Sequence, residues 1–289
     1  EKCADDTKGQ TCYICTQALH WKTKEGLVRM CACRGTAGFA HVSCLAEQAK
    51  ILFAEAEENN LGGKVLAERW QRWHECSLCE QGHHGVVSCA LGWACWKTYL
   101  GRPETDHARL NAMRMLGNGL SIANRQEDAL SVKETELSML RRIGASKNLM
   151  LIAQSNLATT YRMLGRHEEA LRMRRDAYSE SLKTVGPQDG DAIMAASNLA
   201  ASLLDLRRFE EARSLVRKTL PVARRVLGED NEVTVKMRAV YAGALFRDDD
   251  ATLDDLLEAV TTLEDVTRIA RRVFGGANPV TVNIEEELR

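Results

Sequence analysis

The chain has 289 residues, 27% of them charged and 45% hydrophobic, with a formal net charge of −1 at pH 7. That length supports more than one core, and the balanced charge gives no electrostatic reason to expect nucleic acid or an anionic membrane as partner. All ten cysteines and all five tryptophans precede residue 97, whereas the remainder is rich in Ala, Leu, Glu and Arg, so composition alone divides the chain in two.

The N-terminal part carries four ligand-type pairs: Cys12-x2-Cys15, Cys31-x-Cys33, His41-x2-Cys44 and Cys76-x2-Cys79. Two such residues separated by one to four others reach one ion from a single tight turn, so each pair is half of a tetrahedral zinc site. Four halves make two closed sites with no open position for a metal-bound water, which predicts two structural zinc ions. A lone His at ligand spacing, followed by cysteine-free sequence, favours metal over a disulfide framework and predicts a reducing compartment, cytoplasmic or nuclear. Sequential pairing would build two independent knuckles and interleaved pairing one cross-braced unit; the pairs by themselves allow both.

The stretch Cys31-Ala32-Cys33-Arg34-Gly35-Thr36, continuing through Phe39 to His41-Val42-Ser43-Cys44-Leu45, resembles the centre of the RING-CH family, and Cys12-Tyr13-Ile14-Cys15 resembles its opening. The resemblance covers about residues 10–82. It implies an interleaved arrangement, with Cys12, Cys15, His41 and Cys44 on one zinc and Cys31, Cys33, Cys76 and Cys79 on the other. It also implies a ubiquitin ligase without a nucleophile, acting by positioning a charged ubiquitin-conjugating enzyme. The docking groove implied for that enzyme is built from Ile14, the helix after Cys44 and residues 77–81; in the long insertion at 45–75, Trp70 or Trp73 fills that groove or both belong to the core.

Two positions depart from the family. Gln48 stands where a Trp is common, and Glu80 follows the last ligand where many active ligases have a basic residue. They keep a non-catalytic interaction scaffold as the alternative. A PHD finger has the same ligand order and would imply histone-tail reading, but it usually keeps a longer third-to-fourth ligand gap and a shorter gap before the His.

Beyond the ligands, residues 81–85 with His83 and His84 read as a surface turn. The apolar stretch 86–96 is about half a membrane span and predicts a buried connecting helix within 83–106, with Cys89 and Cys95 as small buried hydrophobes. Cys3 is expected in a disordered terminus.

From residue 107 the sequence repeats. Ser155-Asn156-Leu157-Ala158 recurs as Ser197-Asn198-Leu199-Ala200, and Gly144, Gly186 and Gly228 keep the same step of 42. Acidic-Ala motifs at 127–130, 168–171 and 210–213 mark the second helix of each hairpin. Leu157, Ala158, Tyr161, Gly165, Ala170 and Ala177 resemble the tetratricopeptide repeat, and the period resembles its kinesin-light-chain variety. That resemblance implies a concave face binding a client peptide, with Asn156, Thr159, Arg162 and Asn198 as candidate contacts, while Asn156 and Asn198 read equally as packing residues that satisfy a neighbouring helix end. The Arg pairs at 141–142, 174–175, 207–208, 224–225 and 271–272 read as solvated faces or last-turn cations, or as sites for acidic motifs.

The expected fold is therefore mostly α. A small cross-braced two-zinc RING-like module (1–82) precedes a connecting helix (83–106) and a tetratricopeptide-type α-solenoid (107–289). No membrane span is expected.

Overall fold

The computed structural model describes residues 4–288; Cys3 lies outside them. Among the described residues there is no strand, and β-pairing is confined to the isolated bridges Val28–Ala40 and Glu75–Gly82. The chain divides into two compact units at Ile143/Gly144.

The first unit contains α1 (Ala4–Thr7), α2 (Val42–Glu58), α3 (Gly63–Trp70) continued by a 3-10 turn (Gln71–Trp73), α4 (Gly85–Tyr99), α5 (His107–Ile122) and α6 (Gln126–Arg142). One core gathers Leu27, Phe39, Ala40 and Leu45 with Val87 and Leu91 of α4. A second stacks Phe53, Trp73, Tyr99 and Cys95 against Ala108 and Ala112 of α5. The insertion at 45–75 thus completes the core of this unit instead of looping away from it. The stretch 86–96 lies in α4, a helix packed on α2 and on α5. Its approach to α5 is close enough to require glycine on both sides. A Cβ at Gly92 would lie 2.9 Å from the Met115 carbonyl oxygen, and one at Gly119 would lie 2.8 Å from that of Ser88. Among the described residues no helix is long and apolar enough to cross a membrane.

The second unit contains α7 (Lys147–Met163), α8 (His167–Thr184), α9 (Gly190–Asp205), α10 (Phe209–Leu227), α11 (Glu232–Phe246), α12 (Leu253–Val273) and α13 (Pro279–Glu287). Each helix packs on its sequence neighbours, and α7 also meets α9, α9 meets α11 and α11 meets α13. This is the pattern of stacked helical hairpins, each burying its apolar face on the next. Small residues permit the close contacts: Ala158, Ala170, Ala200 and Ala212 are all fully buried.

One local device recurs within the hairpins α5–α6, α7–α8 and α9–α10. The first helix ends on a residue with left-handed backbone, Asn124, Gly165 or Arg207. The next residue, Arg125, Arg166 or Arg208, is the N-cap of the second helix and donates its N–H five residues back, to Leu120, Tyr161 or Leu203. Each second helix then opens on an acidic pair, Glu127 and Asp128, Glu168 and Glu169, or Glu210 and Glu211. These carboxylates face the positive end of the helix dipole, and the second of each pair, Asp128, Glu169 or Glu211, bridges to the N-cap arginine.

Candidate metal centres

The structure brings the eight ligand-type residues into two clusters. Cys12, Cys15, His41 and Cys44 form one and Cys31, Cys33, Cys76 and Cys79 the other, with the donor atoms of each lying within 4.8 Å of one another. The first pair meets the third and the second meets the fourth, so the arrangement is cross-braced. His41 Nδ1 stands 3.3 Å from Cys15 Sγ and 3.6 Å from Cys44 Sγ, and Cys33 Sγ stands 3.8 Å from Cys76 Sγ. Tetrahedral zinc with ordinary bond lengths would separate two sulfurs by about 3.8 Å, and sulfur from nitrogen by about 3.5 Å. Both clusters fit such an ion. The orientation of the His41 ring fits as well: Nε2 lies 3.3 Å from the Ala18 carbonyl oxygen, so a proton there leaves the Nδ1 lone pair facing the thiols.

The two Cys-x2-Cys pairs are built alike. Cys12 N–H donates to the Gln17 carbonyl and Cys76 N–H to that of Gln81, both at 3.0 Å. Thr16 and Glu80, each with left-handed backbone, donate back to the carbonyls of Cys12 and Cys76. The amides of Ile14 and Leu78 point at Cys12 Sγ (3.4 Å) and Cys76 Sγ (3.5 Å), supporting thiolate charge there. A hydrogen bond of 3.1 Å between the hydroxyls of Tyr13 and Ser77 ties one knuckle to the other. Burial pushes the Tyr13 hydroxyl up to about 12, so it stays protonated and able to hold this link.

Four thiols this close cannot all ionise against one another. In the second cluster Cys76 is held down to about 4, chiefly because Cys31 donates to its thiolate. The same hydrogen bond, and then burial, push Cys31 far above the ordinary thiol range, and burial pushes Cys33 up to about 12. A dication among them removes that conflict. The loop carrying Cys31 and Cys33 turns at Gly38, whose φ is 82°. A Cβ there would lie 2.5 Å from Cys33 Cβ and 3.3 Å from Cys31 Sγ. Arg29 pins the loop from outside by donating to the Gly35 carbonyl, with its guanidinium 4.4 Å from the Phe39 ring centroid.

The surface residues named from sequence fall in different surroundings. Ile14 is half-buried at the tip of the first knuckle. Trp73 is 1% exposed, inside the aromatic core, and so presents no face for docking. The physical reason is the insertion itself, which turns this ring inward against Phe53 and Tyr99. Trp70 is half-buried, edge-on to Phe53 with centroids 5.0 Å apart. Sequence reasoning did not single out Leu78, which is 51% exposed and occupies in the second knuckle the place of Ile14 in the first. Superposing the two Cys-x2-Cys motifs would have found it. The expected surface turn at 81–85 is also corrected. His83 is buried because its N–H donates to the His74 carbonyl at 2.7 Å while the next amide, of His84, donates to that of Met30.

In the second unit three of the four candidate peptide contacts engage neighbouring helices. Asn198 Nδ2 donates to Ser155 Oγ at 3.1 Å, Thr159 Oγ1 accepts from Arg174, and Arg162 forks onto Asp205. Asn156 is half-buried on α7, and its carbonyl accepts from Thr160. Arg174 itself is 3% exposed and also donates to the Asn198 carbonyl and Ser202 Oγ, both at 2.8 Å, so its reading as a solvated cation is wrong. Burial lowers its guanidinium to about 10.

The RING-variant domain family matches residues 12–61, which hold six of the eight ligands; geometry adds Cys76 and Cys79. The tetratricopeptide repeat family matches residues 151–190 and 193–232. No curated protein matches the chain. Among solved structures, BtubC (BKLC) from P. vanneervenii is similar at 15% identity, TM-score 0.50, over 86% of this chain and 82% of that one. The apo form of RapI is similar at 11% identity, TM-score 0.51, over 84% and 85%. A Podosopora anserina putative kinesin light chain with TPR-like repeats aligns at 16% identity and TM-score 0.47, over 80% and 97%. At these identities the likeness concerns the helical-repeat fold alone. The chain thus joins an N-terminal RING-variant domain to tetratricopeptide repeats.

Proposed function

We propose that this protein is a zinc-dependent RING-type ubiquitin ligase that docks a ubiquitin-conjugating enzyme on its cross-braced module and a client on its repeats. The observation that carries this reading is the pair of matched knuckles. The Tyr13–Ser77 bond sets them side by side and leaves Ile14 and Leu78, at equivalent places, available to one apolar partner surface. Zinc, when bound, supplies a closed four-coordinate cross-link to each cluster. Everything else is positioning: the two knuckles hold an apolar docking edge rigid, and no side chain acts as nucleophile. Cys95 is fully buried, and that burial pushes its thiol up, away from reactivity.

A second reading, an interaction scaffold without ligase activity, is favoured by Glu80. This residue is exposed directly after the last ligand, and its negative charge cannot supply the basic contact that many active RING ligases use. Autoubiquitination by the two-zinc protein across a panel of conjugating enzymes separates the two. Chains that disappear in Ile14→Ala, Leu78→Ala and Cys31→Ser support the ligase. Inactivity with every enzyme, in protein shown to hold two zincs, leaves the scaffold.

A further inference from the structure

The segment between the first knuckle and Glu25 is a rigid turn whose apolar tips face solvent. His20 N–H donates to the Glu25 carbonyl at 3.0 Å, and Lys24, in left-handed backbone, donates to the His20 carbonyl at 2.9 Å. The His20 ring turns inward, 9% exposed and edge-on to His41 at 5.4 Å, and its Nδ1 meets the Thr23 amide and hydroxyl. Glu25 closes the base by accepting the Ser43 N–H at 2.7 Å. Leu19 is left 59% exposed and Trp21, the most exposed tryptophan of the chain, 70%. Beside them Lys22 and Lys24 are exposed and form no ion pair among the described residues. The net charge of −1 therefore conceals a small exposed tip that is both cationic and apolar.

The chemistry of the tip selects its partner. Unpaired lysines require a negative surface, and an exposed indole beside a Leu favours the boundary between water and an apolar phase. Together the two side chains offer on the order of 300 Å², well short of the roughly 800 Å² per partner that a stable protein interface buries. A bilayer imposes no such minimum, since it accepts single protruding tips with flanking cations. We propose that this turn is a peripheral docking point for an anionic membrane surface, with Trp21 and Leu19 entering the headgroup boundary and Lys22 and Lys24 meeting acidic headgroups. The proposal is independent of the ligase reading.

The test is co-sedimentation of the zinc-loaded full chain with vesicles of phosphatidylcholine alone and of phosphatidylcholine with about one-third phosphatidylserine, at low and high salt. Pelleting is expected with the mixed vesicles only, and raised salt should reverse it. Trp21→Ala, Leu19→Ser and the double variant Lys22→Glu/Lys24→Glu should each lower the bound fraction by roughly threefold or more. All three lie on exposed side chains, and the double variant touches no apolar group, so a folding defect in one leaves the others to decide. Equal pelleting on neutral vesicles, wild-type pelleting by the variants, or no pelleting at all overturns the proposal.

Discussion

The cross-braced module and the helical repeats reach order by different routes. Between Cys12 and His41 regular secondary structure is nearly absent, and the backbone is fixed by knuckle turns, thiol clusters and a small core of Leu27, Phe39, Ala40 and Leu45. In the repeats almost every residue lies in a helix, and order comes from small residues stacked at a fixed step. The module's stability is thus concentrated in two centres, whereas that of the repeats is spread over many modest contacts. A concentrated design fails all at once; a distributed one fails by degrees.

Metal removal should expose that contrast most sharply. Structural zinc contributes on the order of 10 kcal/mol to such sites. A strong chelator is therefore expected to unfold the module and leave the repeats folded. The two regions have separate reporters, because all five tryptophans lie between residues 21 and 96. Trp emission should shift to the red while far-UV circular dichroism keeps the signal of α7–α13; simultaneous loss of both would show that the repeats depend on the metal centres. The next largest effect is expected at Gly38. Its backbone is left-handed and an added Cβ meets Cys33, so Gly38→Ala should cost roughly 3 kcal/mol of metal binding, about 100-fold in affinity, read by chelator competition.

These same differences decide what the sequence reveals. Metal chemistry needs particular residue types at short spacings, so the eight ligands stand out in the chain. A step of 42 makes the hairpins equally visible. What lies between them is less legible. Nothing local shows that Trp73 turns inward, or that α4 and α5 meet at Gly92 and Gly119, since both depend on residues distant in the chain. The spacing of the ligand-type residues likewise says nothing about Tyr13 and Ser77, a contact spanning 64 positions. Buried cations were missed for a related reason. Arg174 looks like one of several surface arginine pairs, and only its neighbours on α7 and α9 reveal its place inside.

That inner position permits a third comparison, between hairpins. Counting from the start of each second helix, Lys133 in α6, Arg174 in α8 and Val216 in α10 are equivalent, and all three are buried. The earlier hairpins bury a cation where α10 buries a hydrocarbon. Burial lowers Lys133 to about 8, although Glu136 nearby opposes the shift. Between that value and the unfolded value near 10.5 the unfolded chain binds more protons, so stability rises with pH across this window and the penalty is complete below it. Lys133→Met should therefore stabilise the first unit by about 2 kcal/mol at pH 7, allowing for the lost bond to Ser121 Oγ, and the advantage should vanish near pH 10.5. Urea denaturation followed by Trp emission measures it; a pH-independent difference would show that packing, not charge burial, is responsible.

The smallest effects should come from the links between successive repeats, where burial and not charge ought to rank them. Arg207 and Asp249 stand 42 residues apart and pair at 2.8 Å, but both are exposed, at 64% and 88%. Asn198 and Ser155, 43 residues apart, form a neutral bond of similar length in half-buried surroundings. An exposed ion pair gains little beyond what water supplies, so Arg207→Ala should change stability by less than about 0.5 kcal/mol. Asn198→Ala leaves the Ser155 hydroxyl without that partner where water is scarcer and should cost about 1 kcal/mol. Urea denaturation followed by circular dichroism, which reports chiefly on the helices, ranks the two. Equal costs would mean that the exposed ladder contributes as much as the inner one, and the distributed stability of the repeats would then rest on charge as well as on packing.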